Sequence, residues 1–182
     1  MDYMSIIKKH YTEGTKQYDI YIKHCRKVAE KALKIASNVP ELKPDLGFIM
    51  EAAILHDIGI KFTNASTIDC HGTEHYLKHL TKGKELLEDE GYPKHANVCL
   101  THSGVGISKN EIIENNLPLP KQDLYPNTIE EEIISLADLF YSKDPKMNHK
   151  ERTIDEIKQI QKKRGLQKYN KLIEWLKKYK LE

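Results

Sequence analysis

The stretch that most constrains this chain runs from Asp45 to Ile58, where Phe48, Ile49, Ala52, Ala53 and Leu55 leave almost no polar face before His56-Asp57-Ile58-Gly59 closes the segment. A helix that is apolar all round must be buried among other elements, and this one is far shorter than the ~20 residues needed to span a bilayer. It therefore belongs at the centre of a globular core, with an imidazole and a carboxylate at its end. Burying that pair without partners would cost several kcal/mol. Two arrangements meet the need: a structural hydrogen bond, with Asp57 accepting from a neighbouring amide or His, or a bound metal.

The rest of the chain supplies helices to surround this one. From about Thr15 to Asn38, Ile20, Val28, Ala32, Ile35 and Ala36 recur at three- and four-residue steps, the spacing of one helical face, and Pro40 and Pro44 close it. Residues 60–74 read as a loop carrying Asn64, Ser66 and Gly72. Helices are expected over about Glu74–Glu90, stopped by Gly91-Tyr92-Pro93, and over Lys94–His102, stopped by Ser103-Gly104-Val105-Gly106. Ser108 with Glu111, Thr128 with Glu131 and Thr153 with Glu156 carry the capping signature that opens three more. Between the first two of these, Leu117–Asn127 is a surface loop. The last helix, from Ile154 to about Tyr179, has a weak point at Gly165. No segment shows strand alternation and none repeats, so the fold class is all-α, a compact helical bundle. With 182 residues, a single domain over 1–182 is expected.

Charge and cysteines narrow the setting. Twenty-nine Lys and Arg against 27 Asp and Glu leave a net charge of +2, which argues against a dedicated nucleic-acid binder held by net charge. The basic residues of the last helix, among them Lys162, Lys163, Arg164 and Lys168, alternate with Glu156 and Glu174 and with Leu166, Tyr169, Ile173, Trp175 and Leu176. That pattern reads as an amphipathic cover over about 153–180. Cys25, Cys70 and Cys99 are odd in number and form no CxxC pair, as in a reduced, cytoplasmic chain. The N-terminus lacks a signal-peptide core, and no segment is apolar for long enough to span a membrane, so no membrane partner is expected.

Nine histidines then become informative, because imidazole is the commonest metal ligand. His24 shares the inward face of Val28 and Ala32, and Asp138 sits inside the apolar run Ile133–Phe140. Three helices thus each bring a metal-type ligand inward: His24, then His56 and Asp57, then Asp138. This mixed nitrogen and oxygen set suits Mn, Fe, Co, Ni or Zn better than Ca or Mg alone.

These residues resemble the HD superfamily of metal-dependent phosphohydrolases, whose pattern H…HD…D here reads His24…His56-Asp57…Asp138, in the HDIG variety of His56-Asp57-Ile58-Gly59. His79 followed by Gly83 and Leu86-Leu87 is similar to the family's HxxxGxxLL element. Val98–His102 with Gly104 beyond it, and Glu130–Lys143, look like its next two. The resemblance spans about residues 20–145. It implies one metal held by His24, His56, Asp57 and Asp138, and a second held by His79 and His102 with Asp57 bridging. It also implies catalysis centred on Asp57, His79 and His102, in which water activated by one or two divalent transition ions (Mn, Fe, Ni, Co or Zn, with Mg admitted) cleaves a phosphate ester of a small nucleotide or phosphorylated metabolite. On the same scaffold a di-iron oxygenase and a non-catalytic metal- or nucleotide-binding module are the alternatives, and self-association as a homodimer is left open.

Several positions carry further expectations. His71, His75 and His79 lie four residues apart, so His75 competes with His79; the Gly83 that follows favours His79. Cyclic-dinucleotide phosphodiesterases of the superfamily place Lys directly after HDIG, whereas here Ile60 stands there and Lys61 follows, either as a substrate contact or as a solvated loop residue. Lys143 and Arg26, close in sequence to Asp138 and His24, are candidate substrate cations or surface charges, and Thr101 and Ser103, which flank His102, are candidate phosphate contacts or caps of the helix end. His10, His95 and His149 have no motif support and are expected to be exposed.

Overall fold

The computed structural model describes residues 1–147 and 150–182. Its spine is a pair of helices. The hydroxyl of Thr15 accepts from the Tyr18 amide to start α2 (Lys16–Ser37), preceded by the short α1 (Tyr3–His10). Asp45 caps α3 (Leu46–Leu55) in the same way through the Phe48 amide. α3 has almost no polar face, and it is wrapped by α2 on one side and by α1, α5 (Pro93–Thr101) and α7 (Ile129–Asp138) on others. Its core side chains Ile49, Ala52, Ala53 and Leu55 are buried, as the sequence requires of such a helix.

What ends α3 also aims the chemistry. Asp57 leaves the helical region (φ −106°, ψ 12°), and residues Ile58–Phe62 continue as a tighter 3-10 turn. This turn presses on α4 (Lys78–Asp89): a Cβ on Gly59 would lie 2.2 Å from the His79 carbonyl oxygen and 2.5 Å from the Gly83 nitrogen. A Cβ on Gly83 would in turn lie 3.1 Å from Cβ and Sγ of Cys99 in α5. Gly59 lets the turn approach α4 at backbone distance, which no residue with a side chain would permit, and Gly83 lets α4 pack tightly on Cys99.

Two local expectations are revised. The 60–74 loop contains a small antiparallel ladder of β1 (Asn64–Ala65) with β2 (Cys70–His71), pairing Asn64 with His71 and Ala65 with Cys70. The helix expected from Glu74 begins only at Lys78, because the backbone of Glu74 bonds to Phe62 and Asn64 and so belongs to the loop. The three hydroxyl caps open α6 (Lys109–Glu114), α7 and α8 (Ile154–Arg164), and at Thr153 the reciprocal capping box is complete. Leu117–Asn127 is tied down by mutual backbone bonds of Leu124 and Ile107, with Leu119 and Leu124 in a small second core. Gly165, at φ +128°, breaks the last helix into α8 and α9 (Leu166–Lys178). α9 buries Leu172, Trp175 and Leu176, while Lys168 and Lys178 pair with Glu111 and Glu132, so it covers the core as its pattern predicts. Among the described residues no helix is long and apolar enough to cross a membrane, and all three cysteines are free and buried.

Candidate metal centre

Five elements converge on one point. α2 contributes His24; the end of α3 contributes His56 and Asp57; the first turn of α4 contributes His79; the residue capping α5 is His102; and the last residue of α7 is Asp138. Asp57 lies at the middle, with its two oxygens divided. Oδ2 faces His24 Nε2 at 3.3 Å and His56 Nε2 at 3.2 Å, whereas Oδ1 faces His79 Nε2 at 3.5 Å and His102 Nε2 at 3.4 Å. Asp138 Oδ1 completes the first group, 3.0 Å from His24 and 3.5 Å from His56. The result is two sets, His24/His56/Asp57/Asp138 and Asp57/His79/His102, each with donor atoms mutually within 4.8 Å.

Hydrogen bonding on the far side of the rings fixes which nitrogen points inward. The carbonyls of Ala53, Tyr76 and Cys99 lie 2.7, 2.6 and 2.9 Å from Nδ1 of His56, His79 and His102 respectively. A carbonyl can only accept, so in each ring Nδ1 carries the hydrogen and Nε2 turns its lone pair to the centre when the ring is neutral. This is the outer support that metal-ligating histidines ordinarily have. On the inner side the opposite holds. Nε2 of His24, His56 and His79, Oδ1 of Asp57 and Oδ1 of Asp138 are all buried without a hydrogen-bond partner, and Asp57 Oδ2 meets only the Lys143 ammonium beside the imidazoles. Buried polar atoms left unpaired are expensive, and here five of them, one from each of five residues, converge on one small volume. A divalent ion is the partner that such a donor set fits.

Lys143 is the cation at the centre. Its Nζ lies 2.7 Å from Asp57 Oδ2 and 3.9 Å from Asp138 Oδ1. Burial alone would raise both carboxyls, but Lys143 and the neighbouring imidazoles hold them well below the usual carboxylate range. Burial would likewise discharge Lys143, yet Asp138 and Asp57 keep it protonated. Burial pushes His79 down to about 3, so this ring is neutral at physiological pH.

A cavity of about 570 Å³ opens beside the centre. His79, His102, Asp138 and Lys143 form one end, and residues of α8 form another part of the wall. Of the substrate contacts expected from sequence, Lys143 and Ser103 line it and three do not. Arg26 is exposed beside Met4 and Met50, because two residues along a helix turn through about 200° and carry it away from the face of His24. Lys61 is not at the cavity: half-buried, it donates to the His10 carbonyl at the end of α1. Thr101 is buried and spends its hydroxyl on the Asn97 carbonyl of its own helix, 2.9 Å away, while Ser103 reaches the cavity instead.

The other histidines separate clearly. His71 and His75 are exposed, and because α4 starts at Lys78 they share no helical face with His79. His95, expected on the surface, is buried between the rings of Phe48 and Tyr92, with Nε2 3.2 Å from Glu51. His10 is half-buried near Glu90, and His149 lies outside the described residues. Sequence reasoning passed over Tyr76, Arg152 and Gln161 in the cavity wall. The signal for Gln161 was present, since it stands four residues after Ile157, a polar residue on the inward face of α8.

Comparison with known proteins places this arrangement. The family model described as HD domain matches residues 21–143. An uncharacterized protein of Methanocaldococcus jannaschii is 32% identical over 167 residues, covering 89% of this chain and 84% of that protein. Two tRNA (cytidine(56)-2'-O)-methyltransferases match as well. That of Picrophilus torridus is 32% identical over 73% of this chain, and that of Thermoplasma volcanium 27% over 82%; the matches span only 35% and 38% of their own lengths. Among solved structures, the HD domain of the L. monocytogenes phosphodiesterase PgpH aligns with a TM-score of 0.54 at 16% identity, over 96% of this chain and 95% of that one. The same domain in complex with cyclic-di-AMP aligns with a TM-score of 0.55 at 17% identity, over 97% and 93%. At such identity the likeness is one of fold.

Proposed function

The chain belongs to the HD domain family, and from that footing we propose that it is a metal-dependent phosphohydrolase acting on a phosphate ester of a small nucleotide or phosphorylated metabolite. The observation that carries the reading is the Asp57 carboxylate, whose two buried oxygens face two separate imidazole pairs. His24, His56, Asp57 and Asp138 would hold one divalent ion; His79 and His102 would share Asp57 to hold a second. The nitrogen-rich set suits Mn, Fe, Co, Ni or Zn. When bound, such a pair supplies an activated water and positive charge against a phosphoryl group.

The protein's own groups position the reaction. The Ala53, Tyr76 and Cys99 carbonyls hold the imidazoles of His56, His79 and His102 in orientation, so little reorganisation is needed at the centre. Lys143 stays charged and lines the cavity, where its ammonium would take a phosphate oxygen. The Ser103 and Ser142 side chains sit on the same wall, and Leu77 and Leu139 give it apolar patches that limit the water around a bound ester. The cyclic-di-AMP complex of a neighbour in fold supports nucleotides as the first substrates to try.

The test is an activity screen of the purified protein. Phosphomonoesters, phosphodiesters and nucleotides are each offered with Mn, Mg, Ni or Fe, and again after chelation. Turnover that needs the metal and is lost on chelation is expected. Oxygen consumption by the iron-loaded protein without any ester cleavage would replace the reading with an oxygenase. Metal binding with neither activity would reduce it to a binding module.

A further inference from the structure

The cavity reaches beyond the family-matched residues 21–143 to α8, which supplies Ile157, Ile160, Gln161 and Arg164 to its wall. Gln161 is fully buried, and neither its Oε1 nor its Nε2 has a hydrogen-bond partner. An amide left unpaired at both donor and acceptor is a costly thing to keep in a wall built by an otherwise well-capped helix. Across from it stands Gly104 at φ +65°. A Cβ there would lie 3.1 Å from Arg164 Nη1 and 3.9 and 4.0 Å from the two polar atoms of the Gln161 amide, so the glycine leaves open the space that both side chains face. Arg164 is exposed and makes no ion pair among the described residues.

The chemistry of the amide limits what it can meet. A phosphate or carboxylate offers only acceptors and would leave Oε1 unpaired; a metal ion or ammonium would leave Nε2 unpaired. The complement is a neutral edge that sets a donor beside an acceptor, as a nucleobase does. Gln pairs with adenine in this bidentate fashion. The half-buried Ile160 and buried Ile157 beside it offer an apolar surface to the face of a flat ring.

We propose that Gln161 is a specificity-determining residue that reads the base edge of a nucleotide substrate, the phosphate lying at the His79/His102/Lys143 end of the same cavity. Arg164, which approaches the same Gly104 space as the Gln161 amide, is its movable cover, and a rotamer change of this exposed side chain opens the amide to the base. The proposal rests on the phosphohydrolase reading for the placement of the phosphate, and it assigns recognition to a helix that the family match does not include.

The experiment compares adenosine and guanosine monophosphates with p-nitrophenyl phosphate, which has no base, in the Mn-loaded wild type, Gln161→Leu, Gln161→Glu and the exposed control Gln159→Leu. The quantity read is the ratio of kcat/KM for nucleotide over p-nitrophenyl phosphate. Gln161→Leu should lower that ratio roughly ten- to a hundredfold, mainly through KM, as expected for loss of a bidentate pair. Gln161→Glu, which keeps only acceptors, should lower it too, and Gln159→Leu should not. An unchanged ratio in Gln161→Leu, or an equal loss on all substrates, overturns the proposal. Should the wild type hydrolyse none of the three, the phosphohydrolase reading is decided by the wider ester screen, separately from Gln161. Calorimetric binding of the two monophosphates to wild type and Gln161→Leu then decides the role of Gln161, equal affinity counting against it.

Discussion

Asp57 and Lys143 illustrate how much a single buried charge decides. The Asp57 carboxylate is wholly buried and shares one face with Lys143 at 2.7 Å. Removing one partner from a buried pair leaves the other uncompensated, at a cost of about 3–5 kcal/mol. Lys143→Met should therefore lower the stability of the chelated protein by about 3 kcal/mol, read as a shift in the urea midpoint, and should raise KM for phosphate esters once metal is restored. Arg26→Ala and Thr101→Val should leave KM unchanged, since neither side chain lines the cavity. The six residues of the centre were legible because each is a polar group on an apolar face, which needs a partner wherever it ends up. The failed candidates Arg26 and Thr101 were chosen by closeness along the chain, but closeness along a helix is not closeness around it, and a hydroxyl can be consumed by its own backbone. Gln161 carried the same sign as His24, a polar residue on an inward face, and was overlooked because no motif surrounded it.

At the scale of elements, the centre depends on how closely three segments approach. Gly59 sits against the His79 carbonyl and the Gly83 backbone, and neither can yield without moving α4. Gly59→Ala should destabilise the protein by about 1–3 kcal/mol, the usual cost of overpacking. Because the collision is at His79 itself, it should also weaken the second metal site more than the first, which metal titration would resolve. Retention of both affinities and of the urea midpoint would show that the turn can relax. The helices were legible from periodicity and caps: Thr15, Asp45, Ser108, Thr128 and Thr153 all cap helices through their side chains. The late start of α4 was not, since what holds Glu74 in the loop is a backbone ladder to Phe62 and Asn64, and such bonds leave no mark on side-chain identity.

For the whole molecule, an ion bound by this donor set would couple metal binding to folding. Donor atoms without partners oppose the fold until an ion joins them, so binding to the folded state stabilises it by mass action, about 2.7 kcal/mol at a hundred times Kd. For a chain of this size that corresponds to a rise in Tm of roughly 5–10 °C on adding Mn to chelated protein. An unchanged Tm would mean that the donor set is not available to the ion. The all-α class and the order of the helices from α2 onward were readable from the sequence, whereas α1 was not. The union of α8 with the cavity was not, because it is a contact between segments far apart in the chain, on which periodicity is silent.

The central claim is that Asp57 joins two metal sites, and metal content per chain tests it most directly. Wild type loaded with Mn and dialysed should retain two ions, His79→Ala with His102→Ala one, and Asp57→Ala none, each confirmed folded by circular dichroism. An Asp57→Ala protein that keeps two ions and full turnover would contradict the account.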